Sequence, residues 1–150
     1  MHSSRHCARG FTLAEILTAL IVIAVLVALA IPLWRTHQLR VHRADGRAAL
    51  IAAQSAQDRF FGIHARYAQG AEILAPAPAG LGLEPVSEHG FYTIGVQASA
   101  DGLAYVATAR ASQARGQESD ARCVELSLDQ NGRRKAVDAS GADRSADCWR

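Results

Sequence analysis

The sequence predicts an α+β protein: a long N-terminal helical spine, apolar in its first half and amphipathic in its second, packed under a four-stranded antiparallel sheet. Three observations predict this fold. Residues 16–31 form an apolar run without a charge, apolar residues then recur every three or four positions over residues 39–63, and from Gly90 onward they alternate with polar ones. The first two patterns are typical of helices, and the third is typical of strands.

The apolar run is long enough to cross a membrane. At a rise of about 1.5 Å per residue, residues 16–31 make about 24 Å of helix, and extension to Trp34 reaches the roughly 30 Å of a bilayer core. Glu15 lies at the front edge of this run. Its carboxylate would cost roughly 2.5–3.5 kcal/mol if drawn to mid-membrane, so we expect it to have a positively charged partner.

The N-terminus resembles the signal of type IV prepilins. A short leader with Arg5 and Arg9 ends in Gly10, and the sequence FTLAE (residues 11–15) then opens the apolar helix. The resemblance implies that a prepilin peptidase/methyltransferase cuts between Gly10 and Phe11 and methylates the new amine of Phe11. It also implies that Glu15 pairs with the amino terminus of a neighbouring subunit during filament assembly.

This resemblance implies the whole organisation of a type IV pilin. Residues 1–10 are the removed leader, 11–34 the transmembrane and filament-core half-helix, 35–64 the amphipathic half, and 65–150 the globular head. Residues 43–61 also resemble the corresponding helix of PilE-type minor pilins. A bacterial pilus subunit is thereby implied. It is held in the inner membrane by one span with its head in the periplasm, and the assembly machinery then joins it to other pilins in an extracellular pilus for twitching motility, adhesion or DNA uptake.

Other interpretations of the N-terminus stay open. A type II secretion pseudopilin has the same signal. An ordinary secretory signal, cut after Ala30 in the small-x-small pattern of residues 28–30, would leave a secreted binding domain. A plain single-span anchor would explain the hydrophobicity alone. A proton relay is disfavoured, because one span with one acid offers no relay.

Pro32 lies where the apolar run ends. It lacks a backbone N–H and its ring clashes with the preceding turn, which predicts a kink or local melting over residues 28–32. In the resembled family a proline is common at this place, where helix loosening is thought to help subunits pack. The alternative is a helix end at the membrane surface, with Trp34 and Arg35 as interfacial anchors.

The second half of the helix has a face suited to burial under the sheet. We expect a loop over residues 62–87, then strands over 91–98, 103–109, 124–128 and 133–138, with turns at 100–102 and 131–132. The predicted helix stripe consists of Leu39, Gly46, Ala49, Leu50, Ala53, Ala56, Phe60 and Ile63. The strand residues expected to supply the covering face, with the inward set left open, are some of Tyr92, Ile94, Val96, Tyr105, Val124, Leu126 and Leu128.

Basic residues cluster just after the apolar run. Arg35, Arg40, Arg43 and Arg47 could form a strip that binds phosphate or DNA. No aromatic residue is interleaved with them for stacking, and the chain from Phe11 onward has as many acidic as basic side chains. We therefore interpret the strip as a solvated helix face and expect it not to bind nucleic acid.

The cysteines divide unevenly. Removal of the leader takes away Cys7 and leaves Cys123 and Cys148. A bond between them would close a loop of about 26 residues, stabilise the fold by roughly 3.5 kcal/mol in the chain-entropy model, and require an oxidising compartment such as the periplasm. The alternative is a pair of free buried thiols in a cytosolic head.

The sequence contains no pattern for catalysis. It lacks G-x-S-x-G, a phosphate-binding glycine loop and H-E-x-x-H, and its histidines lack metal-ligand spacing. Residues 129–132 faintly resemble a calcium loop, but Arg133 and Arg134 fall where oxygen ligands are needed, so we interpret them as a turn. We expect no enzyme activity, no metal and no cofactor.

Overall fold

The computed structural model describes residues 12–150. The chain divides into two compact units, and the boundary between them falls after His37. Short 3₁₀ turns lie at Gly70–Ile73, Gln113–Arg115 and Gln117–Ser119. The helices and strands are α1 (Leu13–His64), β1 (Tyr92–Ala98), β2 (Tyr105–Ala111), β3 (Glu125–Asp129), β4 (Arg134–Val137) and α2 (Ser145–Cys148).

The first unit contains the apolar part of α1. Thr12 caps the helix, because its Oγ1 accepts a hydrogen bond of 3.2 Å from the backbone N–H of Glu15. Within residues 12–150, α1 alone is long and apolar enough to cross a membrane, and its most apolar window has a mean hydropathy of 3.0. The backbone stays helical through Pro32, so local melting is not seen, and a kink there stays a prediction. Gly10 and Phe11 lie outside the described residues.

In the second unit, α1 buries one face against the sheet. The expected stripe is confirmed at Gly46, Leu50, Ala53, Ala56 and Phe60, while Leu39 and Ala49 are half-buried.

Three helix residues depart from the expected pattern. Ile63 is 65% exposed, because it lies in the last turn of α1, beyond the part that the sheet covers. Arg43, expected on the solvated face, is only 8% exposed, and Gln57 is fully buried. Both residues are polar and are buried because they form hydrogen bonds with residues after the helix. The spacing of apolar residues in the sequence cannot predict such burial.

The four strands form an antiparallel sheet in the order β1-β2-β3-β4, as predicted. The second strand was expected to begin at residue 103 but begins at Tyr105. The turn before it is longer than expected, because Ser99 N donates to Ala104 O at 2.8 Å and closes a wider loop. Gly102 in this loop has a φ of +68°, which a glycine adopts without strain. The Asn131-Gly132 turn between β3 and β4 is confirmed.

One face of the sheet packs on α1. The sequence left open which strand residues point inward. The buried residue of β1 is Tyr92, and alternate residues are buried in the other strands: Tyr105, Ala107, Ala109, Leu126, Leu128 and Ala136. Val124 and Ile94 are only half-buried. The helix and sheet approach closely where their residues are small. A Cβ atom at Gly46 would lie 2.9 Å from the ring of Tyr92, so any larger residue there would push the first strand away.

A buried polar network joins α1 to the turn before β3. The guanidinium of Arg43 donates two hydrogen bonds, of 2.7 and 2.9 Å, to the carboxylate of Asp120. Gln117, which is fully buried, donates through Nε2 to the hydroxyl of Tyr92 and to the carbonyl of Leu39, each at 3.2 Å. The hydrogen bond to Asp120 raises the pKa of Arg43, and burial raises the pKa of Tyr92 to about 12.

Asp45 fastens the loop before β1 to the helix. Its carboxylate accepts hydrogen bonds from Ser87 Oγ at 2.5 Å and from the backbone N–H groups of His89 and Phe91. Burial alone would raise the pKa of Asp45, but the hydrogen bonds from Ser87, His89 and Phe91 together outweigh it and lower that pKa. The ionised carboxylate therefore favours one position of the loop over residues 87–91.

The two outer strands are each covered along part of their free edge. Beside β1, Val86 forms an antiparallel bridge with Thr93, and Ile94 N donates to Pro85 O at 2.8 Å. Beside β4, Val137 bridges to Asp143, and Arg144 N donates to the carbonyl of Ala136 at 2.8 Å. The backbone groups of the two edges are therefore partly occupied within the chain.

Breaking the Arg43–Asp120 pair should destabilise the head. Arg43→Met leaves the Asp120 carboxylate, whose side chain is 4% exposed, without its cation, which costs about 3–5 kcal/mol of unfolding free energy. Arg43→Met/Asp120→Leu should recover part of that loss, because no unpaired charge stays buried. Chemical denaturation of the detergent-solubilised full chain measures both.

Arg110→Met is the matched control for that experiment. Arg110 pairs with Glu125 at 2.6 Å, but its side chain is 72% exposed, so its loss should cost no more than about 1 kcal/mol. Equal destabilisation by Arg43→Met and Arg110→Met would contradict a structural function for the buried pair.

Candidate nucleic-acid interface

A disulfide anchors the C-terminal tail to the head. Cys123 and Cys148 are bonded, with their Cα atoms 5.9 Å apart, which confirms the expected pair. Both residues are buried, and Cys148 ends the short helix α2. The bond therefore brings residues 149–150 back beside the segment that enters β3.

Trp149 and Arg150 then hold the tail against a strand and the helix. Trp149 Nε1 donates to the carbonyl of Lys135 at 2.9 Å, and the guanidinium of Arg134 lies 5.3 Å from the centre of the Trp149 ring. Arg47 Nη1 donates to the backbone oxygen of Arg150. Residues from α1, β4 and the tail thus meet in one place.

A basic cavity of about 350 Å³ lies where the tail meets the helix. The described residues that line it are Arg40, Arg43, Arg122, Asp147 and Arg150. Asp147 alone among them is acidic and pairs with Arg122 at 3.1 Å. Three arginines that line this cavity do not pair with Asp120: Arg40, Arg122 and Arg150. We call these three, together with Arg47 and Arg134, which contact the tail, the tail patch.

The tail patch has the chemistry of a phosphate site. A guanidinium is planar, always charged and able to donate two parallel hydrogen bonds to an anionic oxygen pair. Of the described patch members, Arg40 and Arg150 are exposed, and Arg40 makes no ion pair. Several such groups around one concave surface attract a polyanion.

The strip expected from sequence is only partly a solvated helix face. Arg43 is buried with Asp120, whereas Arg35 and Arg40 are exposed. Arg40 and Arg47 instead join residues from the far end of the chain. No spacing in the sequence could have found this combination, because the disulfide and the fold bring its members together.

The other expected site residues have the following positions. Glu15 lies exposed in the first turn of α1, where Thr18 Oγ1 donates to its carbonyl at 2.9 Å, and its docking function stays a prediction. Within residues 12–150, no group of three His, Cys, Asp or Glu side chains could hold a metal ion.

Sequence profiles of known families match both parts of the chain. Residues 5–31 match the prokaryotic N-terminal methylation motif. Residues 32–127 match the profile described as "Type IV minor pilin ComP, DNA uptake sequence receptor". A methylation motif, an apolar helix that continues into a head, and a four-stranded sheet define a type IV pilus subunit. The chain belongs to the ComP family of type IV minor pilins.

A solved structure is also similar. A type IV pilin from Shewanella oneidensis has 21% sequence identity and a TM-score of 0.45, over 64% of this chain and 89% of that one. A comparison with curated proteins gave no match. Pilins of this family and fold are structural subunits.

Removal of the disulfide should release the tail and weaken the head. Cys148→Ser opens a loop of about 26 residues, which in the chain-entropy model lowers the unfolding free energy by roughly 3.5 kcal/mol. Thermal unfolding of the full chain under oxidising conditions measures the loss. Reductant should lower the melting temperature of the wild type to that of the variant. A melting temperature of Cys148→Ser equal to that of the oxidised wild type would contradict the stabilising bond.

Proposed function

We propose that this pilus subunit binds DNA at the fibre surface through the tail patch. The observation that carries the proposal is that Arg40, Arg122 and Arg150 line one cavity, whose acidic lining residue is already paired with Arg122. Arg47 and Arg134 contact the same tail. The family description as a DNA uptake sequence receptor supports the same ligand for this chain. Of the uses that a pilus subunit can have, DNA uptake is the one that this surface favours.

Binding by the patch follows from the charge of the ligand. Each arginine that neutralises a backbone phosphate releases a counterion, so affinity falls as salt rises. Three of the five patch arginines, Arg40, Arg47 and Arg122, lie within the range 32–127 that matches the family profile, and Arg134 and Arg150 follow that range. The charges of the chain itself are therefore a second support for this surface beside the family match.

The proposal includes the route by which the head reaches the fibre. The subunit is cut between Gly10 and Phe11 by a prepilin peptidase/methyltransferase and methylated at Phe11. It is held in the bacterial inner membrane by one span with its head in the periplasm. The inner-membrane assembly machinery then joins it to other pilins in an extracellular pilus, with Glu15 docking to a neighbour's amino terminus and Pro32 kinking the helix. The family match favours this route over a pseudopilus or a secreted domain cut after Ala30.

A double substitution tests DNA binding. Arg40→Gln/Arg150→Gln removes two exposed cavity charges. It should weaken binding of a duplex oligonucleotide roughly tenfold at about 0.1 M salt and lessen the slope of log K against log salt by about 2. Fluorescence anisotropy with the detergent-solubilised full chain, titrated at several salt concentrations, measures both quantities.

Arg59→Gln/Arg115→Gln is the matched control for DNA binding. It removes the same net charge from exposed residues outside the cavity, so the affinity and the slope should stay close to those of the wild type. If the two double variants lose equal affinity, the binding is a non-specific charge effect and the tail patch is not its site.

Processing and docking have a separate test. Intact mass and N-terminal sequence of membrane-derived protein should give a chain that begins at methylated Phe11, whereas a start at Ile31 would make it a secreted domain. Glu15→Ala should be processed and held in the membrane yet recovered in sheared pili at a small fraction of the wild-type level, because the docking charge is gone. Normal incorporation of Glu15→Ala would reject the assigned docking function.

A further inference from the structure

The cavity in the tail patch has the size of a site for one small anionic group. Its volume of about 350 Å³ lies at the low end of the roughly 300–1,000 Å³ that small-molecule sites occupy. Arg40, Arg122 and Arg150 are exposed and line it. The cavity therefore suits a single phosphodiester group with a short polar substituent, which is a smaller ligand than a DNA duplex.

The positive charge at this cavity is largely free for a ligand. Within residues 12–150, the guanidinium groups of Arg40 and Arg150 have no ion-pair partner. Arg122 pairs with Asp147, but the two side chains are 63% and 47% exposed, so solvent weakens the attraction between them. An incoming anion thus meets two unpaired arginines and a third that is weakly held.

A tryptophan lies beside these arginines. Trp149 is half-buried, and its ring centre is 5.3 Å from the guanidinium of Arg134. Membrane proteins concentrate tryptophan at the level of the lipid headgroups, because its ring is apolar and its N–H is polar. Arginine binds the phosphate of a headgroup through two parallel hydrogen bonds. The tail patch therefore has the composition of a surface that lies against a membrane.

The chain itself keeps Arg40 close to the end of the apolar run. Arg40 follows Trp34 by six residues, so their Cα atoms are at most about 22 Å apart in any conformation of the chain. Trp34 is 64% exposed, as an anchor at the membrane surface would be. In a subunit that is held by one span, the start of the tail patch is thus within reach of the headgroups.

We propose that the tail patch binds the headgroups of anionic phospholipids while the subunit is still held in the membrane. One lipid phosphodiester enters the cavity and accepts hydrogen bonds from Arg40 and Arg150, and the other patch arginines are attracted to the anionic surface around it. This contact requires the single-span anchor proposed above but not DNA binding. Because it uses the same arginines, it keeps the patch from DNA until the subunit leaves the membrane.

Quenching of Trp149 fluorescence by a lipid with a nitroxide on its headgroup tests this contact. The chain has two tryptophans, so Trp34→Phe leaves Trp149 alone. The full chain with this substitution is reconstituted into vesicles of phosphatidylcholine, with or without phosphatidylglycerol, at one fixed content of the labelled lipid. Quenching should be at least about twofold stronger with phosphatidylglycerol. The difference should vanish at about 1 M salt, where the Debye length is about 3 Å.

Substitutions in the Trp34→Phe chain assign the contact to the patch. Arg40→Gln/Arg150→Gln should lower the quenching with phosphatidylglycerol to the level with phosphatidylcholine alone, whereas Arg40→Lys/Arg150→Lys, which keeps the charge, should retain most of the difference. Arg59→Gln/Arg115→Gln is the matched control outside the cavity and should retain all of it. Equal quenching in the two kinds of vesicle, or equal losses in the two glutamine variants, would overturn the lipid contact.

The DNA titration and the lipid quenching are independent measurements. If Arg40→Gln/Arg150→Gln weakens DNA binding but the quenching of Trp149 does not depend on phosphatidylglycerol, the lipid contact is wrong and DNA binding by the patch stands. If that variant loses the lipid-dependent quenching but keeps its affinity for DNA, the lipid contact stands and the patch is not the DNA site.

Discussion

The contact between Gly46 and Tyr92 sets the distance between the helix and the sheet. The ring of Tyr92 lies where a side chain at position 46 would stand, and its hydroxyl accepts a hydrogen bond from the buried Gln117. Gln117 in turn lies beside Asp120, the partner of Arg43. The close contact at Gly46 and the hydrogen-bonded network therefore hold the same three elements together. The first strand, the turn before β3 and the helix can be displaced only together.

The head presents three different surfaces around one helix. The inner side of α1 is covered by the sheet, and one flank meets the arginines gathered by the disulfide-bonded tail. The other flank lines an apolar groove between the helix and the loop before β1, with Glu84 and Glu88 among its lining residues. A chain that is formally neutral from Phe11 onward can thus carry one strongly basic surface and one acidic surface. Net charge, which argues against nucleic-acid binding for the chain as a whole, gives no information about such a division.

Periodicity predicted the elements, because burial of one face imposes a repeat on α1 and on each strand. The cysteine pair was predictable by counting once the leader is set aside. The sequence analysis left the inward-facing set of strand residues open. In β1 the apolar alternation of Tyr92, Ile94 and Val96 is the one that packs on the core, and Tyr92 contacts Gly46. The burial of Arg43 and the composition of the tail patch were also beyond the sequence, because each depends on partners more than 70 residues away: Asp120 for Arg43, and Arg122 and Arg150 for Arg40.

The partial cover of the two sheet edges protects the protein against aggregation by strand addition. Free strand edges invite the addition of further strands, and at the high local concentration of an assembling polymer that addition would compete with orderly growth as amyloid-like stacking. Here Pro85 and the residues around Asp143 occupy positions that an incoming strand would need. Growth of the polymer is thereby directed to side-chain surfaces, which can be reversed subunit by subunit, whereas a cross-β stack could not readily be taken apart.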